Sequence, residues 1–424
     1  MFGKRDKMNK PTIKIIDKGP ASPTTESANS PAHGSLIKVH GKERLTMPSP
    51  VEAVAAEHRQ SPKKSGRNNV PPTGITVNIG PGIDGKFGVT ATSSFFPGRT
   101  EKTQLTIPFT EKYLTQAIRY LRRNVHSSTE RRIVIGDEPD NHETTSEPIS
   151  VEAFGQRLFD SLFNDGIKGI YVDSIEEATA QFPISLICHE PSVSRLPWEF
   201  MHDGLRFVCT EIGPIFRLLP HAPKLAADTR LSEPLRLLIV AMNPIGTVAM
   251  GWEQEVESIR ELLKGSSAEI SVVGSINKFQ GELLCPRPPQ IVHFIAHGIA
   301  NQLQFSSETG EAIGIRKTLS GWLANAPEPP RLVLFNACDT AGLAEDLIRN
   351  RIPLAVGMQF AISDSAARAF AKGFYQYART GLPLHRATAW GRLSIQAVLG
   401  EDNEDNCEWA TPTLYVNPET VALS

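Results

Sequence analysis

Ile291-Val-His-Phe-Ile-Ala-His297-Gly298 and Leu332-Val-Leu-Phe-Asn336-Ala-Cys338-Asp339 are two apolar runs, each ending at a reactive side chain. A parallel strand covered by helices on both faces reads as a continuous apolar run rather than an alternating one. In open parallel sheets, sites form beyond the carboxyl ends of the strands. Two such strands side by side set an imidazole and a thiol at one rim. A cysteine nucleophile needs that arrangement, because the thiolate attacks and a nearby base generates it.

Outward from these runs, the second half of the chain alternates strand and helix. Leu235–Ala241, Ile270–Gly274, 291–296, 331–337 and Leu354–Gly357 read as strands, and Thr413–Val416 as a last one. Between and after them, Trp252–Leu263, Lys278–Leu284, Ile315–Ala324, Ala341–Asn350, Ser363–Arg379 and Leu384–Leu399 read as helical, with apolar residues in register. Such alternation predicts a mainly parallel sheet with right-handed crossovers. The polar stretches 299–314 and 400–408 read as loops beside the rim.

The first half is more mixed. Ile75–Ile79 and Lys86–Thr92 read as a hairpin about a Pro81–Gly85 turn, and Thr103–Pro108 as another strand. Thr110 and Ser150 read as helix starts, and residues 136–148 as an acidic loop. Ile184–Cys188 and Ile215–Leu219 read as strands, and so does Phe207–Thr210. Trp198-Glu199 reads as structural, an indole plug with a carboxylate that satisfies nearby backbone donors. The chain thus divides into a tail (1–72), an α+β half (73–230) and an α/β half (231–424).

The tail holds nine prolines and too few apolar residues to offset the entropy of ordering, so it reads as disordered. It carries 13 Lys and Arg against 6 Asp and Glu, a balance of +7; the chain total of −2 leaves −9 for the rest. Phe2 is its one aromatic residue, which argues against a stacking nucleic-acid site. Thr12–Ile16 and Ser35–Val39 have the alternation of segments that add to a sheet edge. No apolar stretch is long enough to span a bilayer, and no secretory signal is apparent. Five widely spaced cysteines without a C-x-x-C argue against disulfides or a zinc knuckle and for the reducing cytoplasm. Four of the five read as inert small hydrophobes.

Other chemistries lack their signatures. His293 is followed by Phe rather than Glu, so the H-E-x-x-H zinc pattern fails, and on a strand it shares a face with His297 about 13 Å away. Position 344 is Ala, where a tyrosine phosphatase places arginine. Walker and G-x-G-x-x-G loops are absent. The residues imply no metal and no cofactor.

The A-H-G and N-A-C-D strings resemble a CHAT domain, of the caspase-like and separase-like group of cysteine peptidases. Further strings resemble that family in order: Leu196-Pro-Trp-Glu199, Phe360-Ala-Ile-Ser-Asp364, Gly381-Leu-Pro-Leu-His-Arg-Ala387 and Trp409-Ala-Thr-Pro-Thr-Leu-Tyr415. Together they cover about residues 74–420. The resemblance implies a caspase-like, mainly parallel sheet flanked by helices. It implies Cys338 as nucleophile, His297 as general base, and the N–H groups of Gly298 and Cys338 as an oxyanion hole. Asp364 matches an acidic residue lining the pocket for the side chain before the scissile bond (P1), which implies a basic preference there. Phe360 stands where the family has tryptophan, altering the pocket wall. Asp339 is assigned either to substrate or to capping the following helix. The implied partners are a protein substrate and a protein activator, and the implied setting is bacterial defence or programmed death. The competing reading is a catalytically silent interaction module on the same fold.

Overall fold

The computed structural model describes residues 74–125 and 150–421, apart from 165, 224, 226–230, 232, 308, 381–383 and 401–406. The tail and the 136–148 loop expected from sequence lie outside these residues.

Strands β1 (Ile75–Ile83) and β2 (Lys86–Ser93) form the first hairpin. Its turn is Asp84-Gly85, with φ of 51° and 73°, later than the turn expected. A two-residue Asp-Gly turn matches strand twist, and the register shift between Ile79 and Gly82 absorbs the prolyl segment. Strand β3 (Thr100–Thr106) pairs with β2. Helix α1 (Glu111–Val125) is opened by Thr110, whose Oγ1 accepts the Tyr113 N–H at 3.2 Å. Helix α2 (Val151–Leu162) is opened by Ser150 in the same way and buries Phe154, Leu158 and Leu162. Helix α3 (Lys168–Glu177) has no side-chain cap to announce it in the sequence. Next come β4 (Ile184–Cys188), α4 (Pro191–Ser194) and β5 (Ile215–Leu218).

The strand expected at Phe207–Thr210 is instead entered by a π-helical turn, Val208–Ile212, closed by the Gly213 N–H on Val208 O at 3.0 Å. A β-carbon on Gly213 would stand 2.0 Å from Phe182 O, so tight packing takes precedence over local β propensity.

The second half follows its predicted alternation: β6 (Arg236–Ala241), α5 (Trp252–Leu263), β7 (Glu269–Val273), α6 (Ile276–Leu283) and β8 (Ile291–Ile295). The 299–314 stretch is a small antiparallel sheet rather than a loop: β9 (Gly298–Ile299), β10 (Gln302–Ser306) and β11 (Ala312–Ile315). Then follow α7 (Lys317–Ala324), β12 (Leu332–Asn336), α8 (Ala341–Arg349), β13 (Leu354–Met358), α9 (Asp364–Ala378), α10 (Leu384–Leu399), β14 (Pro412–Val416) and α11 (Pro418–Val421).

Among the described residues one sheet has eleven strands in the order β3-β2-β1-β4-β5-β14-β13-β12-β8-β6-β7. It runs unbroken through both halves. Antiparallel pairing is confined to β1–β2, β2–β3 and β13–β14; the other pairs are parallel. Apolar side chains alternate between two cores. Leu237, Ile291, Leu332 and Val356 pack toward Val256, Ile259, Phe370 and Phe374. Val240, Phe294, Phe335 and Ala355 pack toward Phe279, Leu319, Leu343 and Leu347. Burial on both faces is why β8 and β12 read as unbroken apolar runs; each such side chain contributes roughly 1.5–3 kcal/mol. No helix among the described residues is long and apolar enough to cross a membrane.

Candidate active site

Strands β8 and β12 are adjacent and parallel, with Ile295 opposite Asn336. Two residues further along each strand stand His297 and Cys338. Both therefore follow the carboxyl ends of adjacent parallel strands, at one rim of the sheet. Gly298 packs against the backbone of Cys338: a β-carbon there would stand 1.9 Å from the Cys338 carbonyl oxygen. Before any close approach of substrate, this glycine lets the two strand ends meet.

The imidazole of His297 is 1% exposed, and its Nε2 lies 2.8 Å from the main-chain oxygen of Val248. A carbonyl only accepts, so Nε2 carries the hydrogen, and in the neutral ring Nδ1 is the basic nitrogen. Cys338 is also 1% exposed; its Sγ accepts the Ile362 N–H at 3.5 Å and lies 3.9 Å from Ile362 O.

Val248 belongs to the connection between β6 and α5, a strap over residues 243–251. Its start is tied by the Ile245 N–H to Gly310 O (2.8 Å), beside the β10–β11 hairpin. Its end is tied by the Gly251 N–H to Asp364 Oδ2 (3.0 Å), on the first residue of α9. Asp364 follows by two residues Ile362, whose main-chain atoms touch the Cys338 sulfur. Phe360 is buried, its ring 6.1 Å from that of Phe200, and its carbonyl accepts the Asp339 N–H at 3.3 Å. Asp339 has φ 49°. The α8 start that it precedes draws its acceptor from elsewhere, the Gly342 N–H bonding Asn301 Oδ1 at 2.8 Å.

Around Asn336 lies a buried polar cluster that the sequence did not announce. Asn336 Nδ2 donates to Glu255 Oε1 (2.6 Å) and Ala367 O (2.9 Å). His293 Nε2 is 3.1 Å from the same Glu255 oxygen, and its Nδ1 is 3.2 Å from the Tyr375 hydroxyl. Burial, then the Glu255 charge, push the Tyr375 hydroxyl well up. His293 thus stands between α5 and α9, its Nδ1 in hydrogen-bond range of the Tyr375 hydroxyl and its Nε2 in ion-pair range of Glu255.

Trp198 is fully buried and donates from Nε1 to Val193 O at 2.9 Å, the plug expected. The Glu199 carboxylate differs from expectation: it takes the Arg217 guanidinium and the Gln359 side-chain amide rather than backbone donors. Burial pushes the thiols of Cys188 and Cys209 up to about 12, which keeps them protonated and unreactive. Among the described residues no group of three His, Cys, Asp or Glu side chains is gathered for a metal.

Ser363 caps α9 through its Oγ and gives its own N–H to Glu408 Oε2 at 2.6 Å. Burial pushes the Glu408 carboxyl up to about 7, against the pull of the Ser363 hydrogen bonds. The folded chain therefore keeps a proton that the unfolded chain loses above the ordinary 4.5. This contribution to stability is full below that value and is lost as pH rises to about 7. Glu408→Gln keeps an acceptor for Ser363 and removes the slope. Urea unfolding at pH 5 and pH 8 should show the variant gaining on the native chain, by on the order of 3 kcal/mol at pH 8. Parallel profiles for the two proteins would refute the assignment.

Solved structures match at low identity and with TM-scores below 0.5. Saccharomyces cerevisiae separase, in its complex with securin, matches with a TM-score of 0.46 and 12% identity, over 82% of this chain and 30% of that one. The chain therefore spans under a third of the separase chain. The Arg-specific cysteine proteinase gingipain R matches with a TM-score of 0.40 and 14% identity, over 62% of this chain and 69% of that one. Gingipain R of Porphyromonas gingivalis, as a complex of its pro- and mature domains, matches at 13% identity, a TM-score of 0.40, and 63% and 72% coverage. No curated protein sequence matches. The family model for the CHAT domain matches residues 152–417, from α2 to the end of β14, and the chain belongs to the CHAT domain family.

Proposed function

We propose that the chain is a caspase-like cysteine endopeptidase whose Cys338 and His297 form a catalytic dyad. The observation that supports this reading is that β8 and β12 pair in parallel up to Ile295 and Asn336, with His297 and Cys338 each two residues beyond that last pair. His297 Nδ1 takes the thiol proton, and the thiolate attacks the scissile carbonyl. The tetrahedral oxyanion is held by the N–H groups of Gly298 and Cys338. The C–N bond then breaks, His297 returns the proton to the leaving amine, and water hydrolyses the thioester. Val248 fixes the tautomer this sequence needs, as a main-chain counterpart of the third member of a triad. Asp364 supplies the acid of a pocket that favours Arg or Lys at P1.

Both dyad residues are buried, which supports a resting form that a protein activator opens. The same burial favours a second reading, a silent interaction module. The domain division at 72 and 230, the cytoplasmic setting, a role in bacterial defence and the absence of direct nucleic-acid binding remain parts of the proposal. None of the five cysteines is held in a disulfide among the described residues, which suits the cytoplasm.

The test is labelling by acyloxymethyl ketone peptides, whose carboxylate is displaced by a thiolate to give a thioether. Long exposure integrates rare openings of a buried site. Mass spectrometry should find the label on Cys338, faster with Arg than with Asp at P1. Label on another cysteine, or none on Cys338, favours the silent module; faster reaction with Asp ends the basic preference alone.

A further inference from the structure

The Asp364 carboxylate already serves a donor of the chain itself. Its Oδ2 accepts the Gly251 N–H at 3.0 Å. Gly251 is the N-cap residue of α5 and ends the strap; no side chain of its own caps that helix. A β-carbon on Gly251 would stand 3.0 Å from Arg368 Nη1 and 3.7 Å from Asp364 Oδ2. Arg368 lies one helical turn beyond Asp364, the spacing at which opposite charges on α9 face each other. The acid of the pocket thus meets a main-chain donor, and the Arg368 guanidinium stands by the same glycine.

Resting on the peptidase reading above, we propose that Gly251 and Arg368 form a resident latch on the Asp364 pocket, and that a basic substrate side chain binds by exchange with them. The carboxylate has few acceptor sites, and an incoming guanidinium needs two of them for a bidentate bond. Each resident donor therefore subtracts from the affinity for a basic side chain. Release requires movement of the last residues of the strap only. Val248, three residues earlier, stays on His297, so the latch governs selection of substrate without disturbing the base.

The strap's composition suits such local motion. Gly246 has φ +84°, a conformation open to glycine. Ile245 and Val248 are 75% and 43% exposed and so lightly held, while Met250, 5% exposed beside Gly251, shifts with it on release.

Gly251→Pro tests the latch. Gly251 has φ −78°, which proline adopts, and proline has no N–H to give Asp364. Arg368→Gln removes the cation independently and covers the case in which the proline variant folds poorly. The readout is the ratio of Cys338 labelling rates for two otherwise identical acyloxymethyl ketone peptides, with Arg and with Ala at P1. Each variant is expected to raise the Arg/Ala ratio by about tenfold, the worth of one charge-assisted hydrogen bond. Asp364→Asn should collapse the ratio and cancel both effects when combined with either variant. Ratios unchanged in both variants, with Cys338 still labelled, overturn the latch and leave the peptidase reading standing. Absence of Cys338 labelling in the native chain overturns both.

Discussion

Alanine at position 297 is expected to lower peptide turnover by about 10²–10⁴-fold, the range for loss of a positioned general base. A cysteine thiol has an ordinary pKa of about 8.5, so near neutral pH only a few per cent is thiolate without help. In the proposed mechanism His297, two residues beyond the end of the neighbouring strand, would supply that help. In that mechanism the same ring would protonate the departing amine, so its loss should slow two steps. The pH dependence separates this role from a structural one. In the native chain the rate should level off once the imidazole is neutral. In His297→Ala it should keep climbing with pH toward the pKa of the thiol itself, about tenfold per unit. Measured kcat/KM between pH 6 and pH 9 decides it: a variant that keeps its rate and its plateau would exclude the imidazole as base. Folding is monitored through the buried Phe294–Phe335 pair below the site, with ring centroids 5.3 Å apart.

The parts of this site that the sequence made legible are those whose signal is local. An apolar run ending in His297-Gly298 or Cys338-Asp339 states both burial on two faces and a strand end, and the structure has both. The helix start at Ser363 is marked by a side chain that caps its own helix. The strap had no such mark. Its contributions are the Val248 carbonyl and the Gly251 N–H, which any residue carries at almost any position. The rule that sites gather at carboxyl strand ends pointed to the loop after β6, but nothing in Asn243–Gly251 singled out Val248. The β10–β11 hairpin was misread for a related reason. It pairs apart from the main sheet and exposes Ala312, Ile313 and Gly314, so it never shows the apolar run of a core strand. Asn336 was read as part of the N-A-C-D string, and its burial against Glu255 became visible only once α5 was packed on β12. Pairings across more than eighty positions are set by tertiary packing, which a local pattern does not carry.

The same holds for Glu199 and Arg217, where the largest loss of stability is expected. Glu199 is fully buried and Arg217 is 6% exposed. The guanidinium donates to Glu199 Oε1 from Nε at 3.0 Å and to Oε2 from Nη2 at 2.5 Å, and it also holds the Ser194 and Leu196 carbonyls. Burial is the largest single influence on Arg217 and lowers its pKa, but the charge and hydrogen bonds of Glu199, with Tyr415 and Cys188, together outweigh it and the net pull is upward. Glu199→Ala leaves that cation buried without its counter-charge, and the cost of such a break is about 3–5 kcal/mol. The damage also reaches the site. Gln359 Nε2 loses its Glu199 acceptor at 3.1 Å, and Gln359 begins the segment that carries Phe360, Ile362 and Asp364 along the sulfur. Urea unfolding should therefore show a lower midpoint for Glu199→Ala, together with a changed rate of Cys338 alkylation by iodoacetamide. Removing both charges, as Glu199→Leu with Arg217→Met, should restore more than half of the lost stability, because no uncompensated ion remains. The alkylation rate should stay perturbed in the double variant, since the acceptor for Gln359 is still missing. If the double variant loses the sum of the two single losses, the pair acts as two independent packing residues and the coupling argued here does not exist.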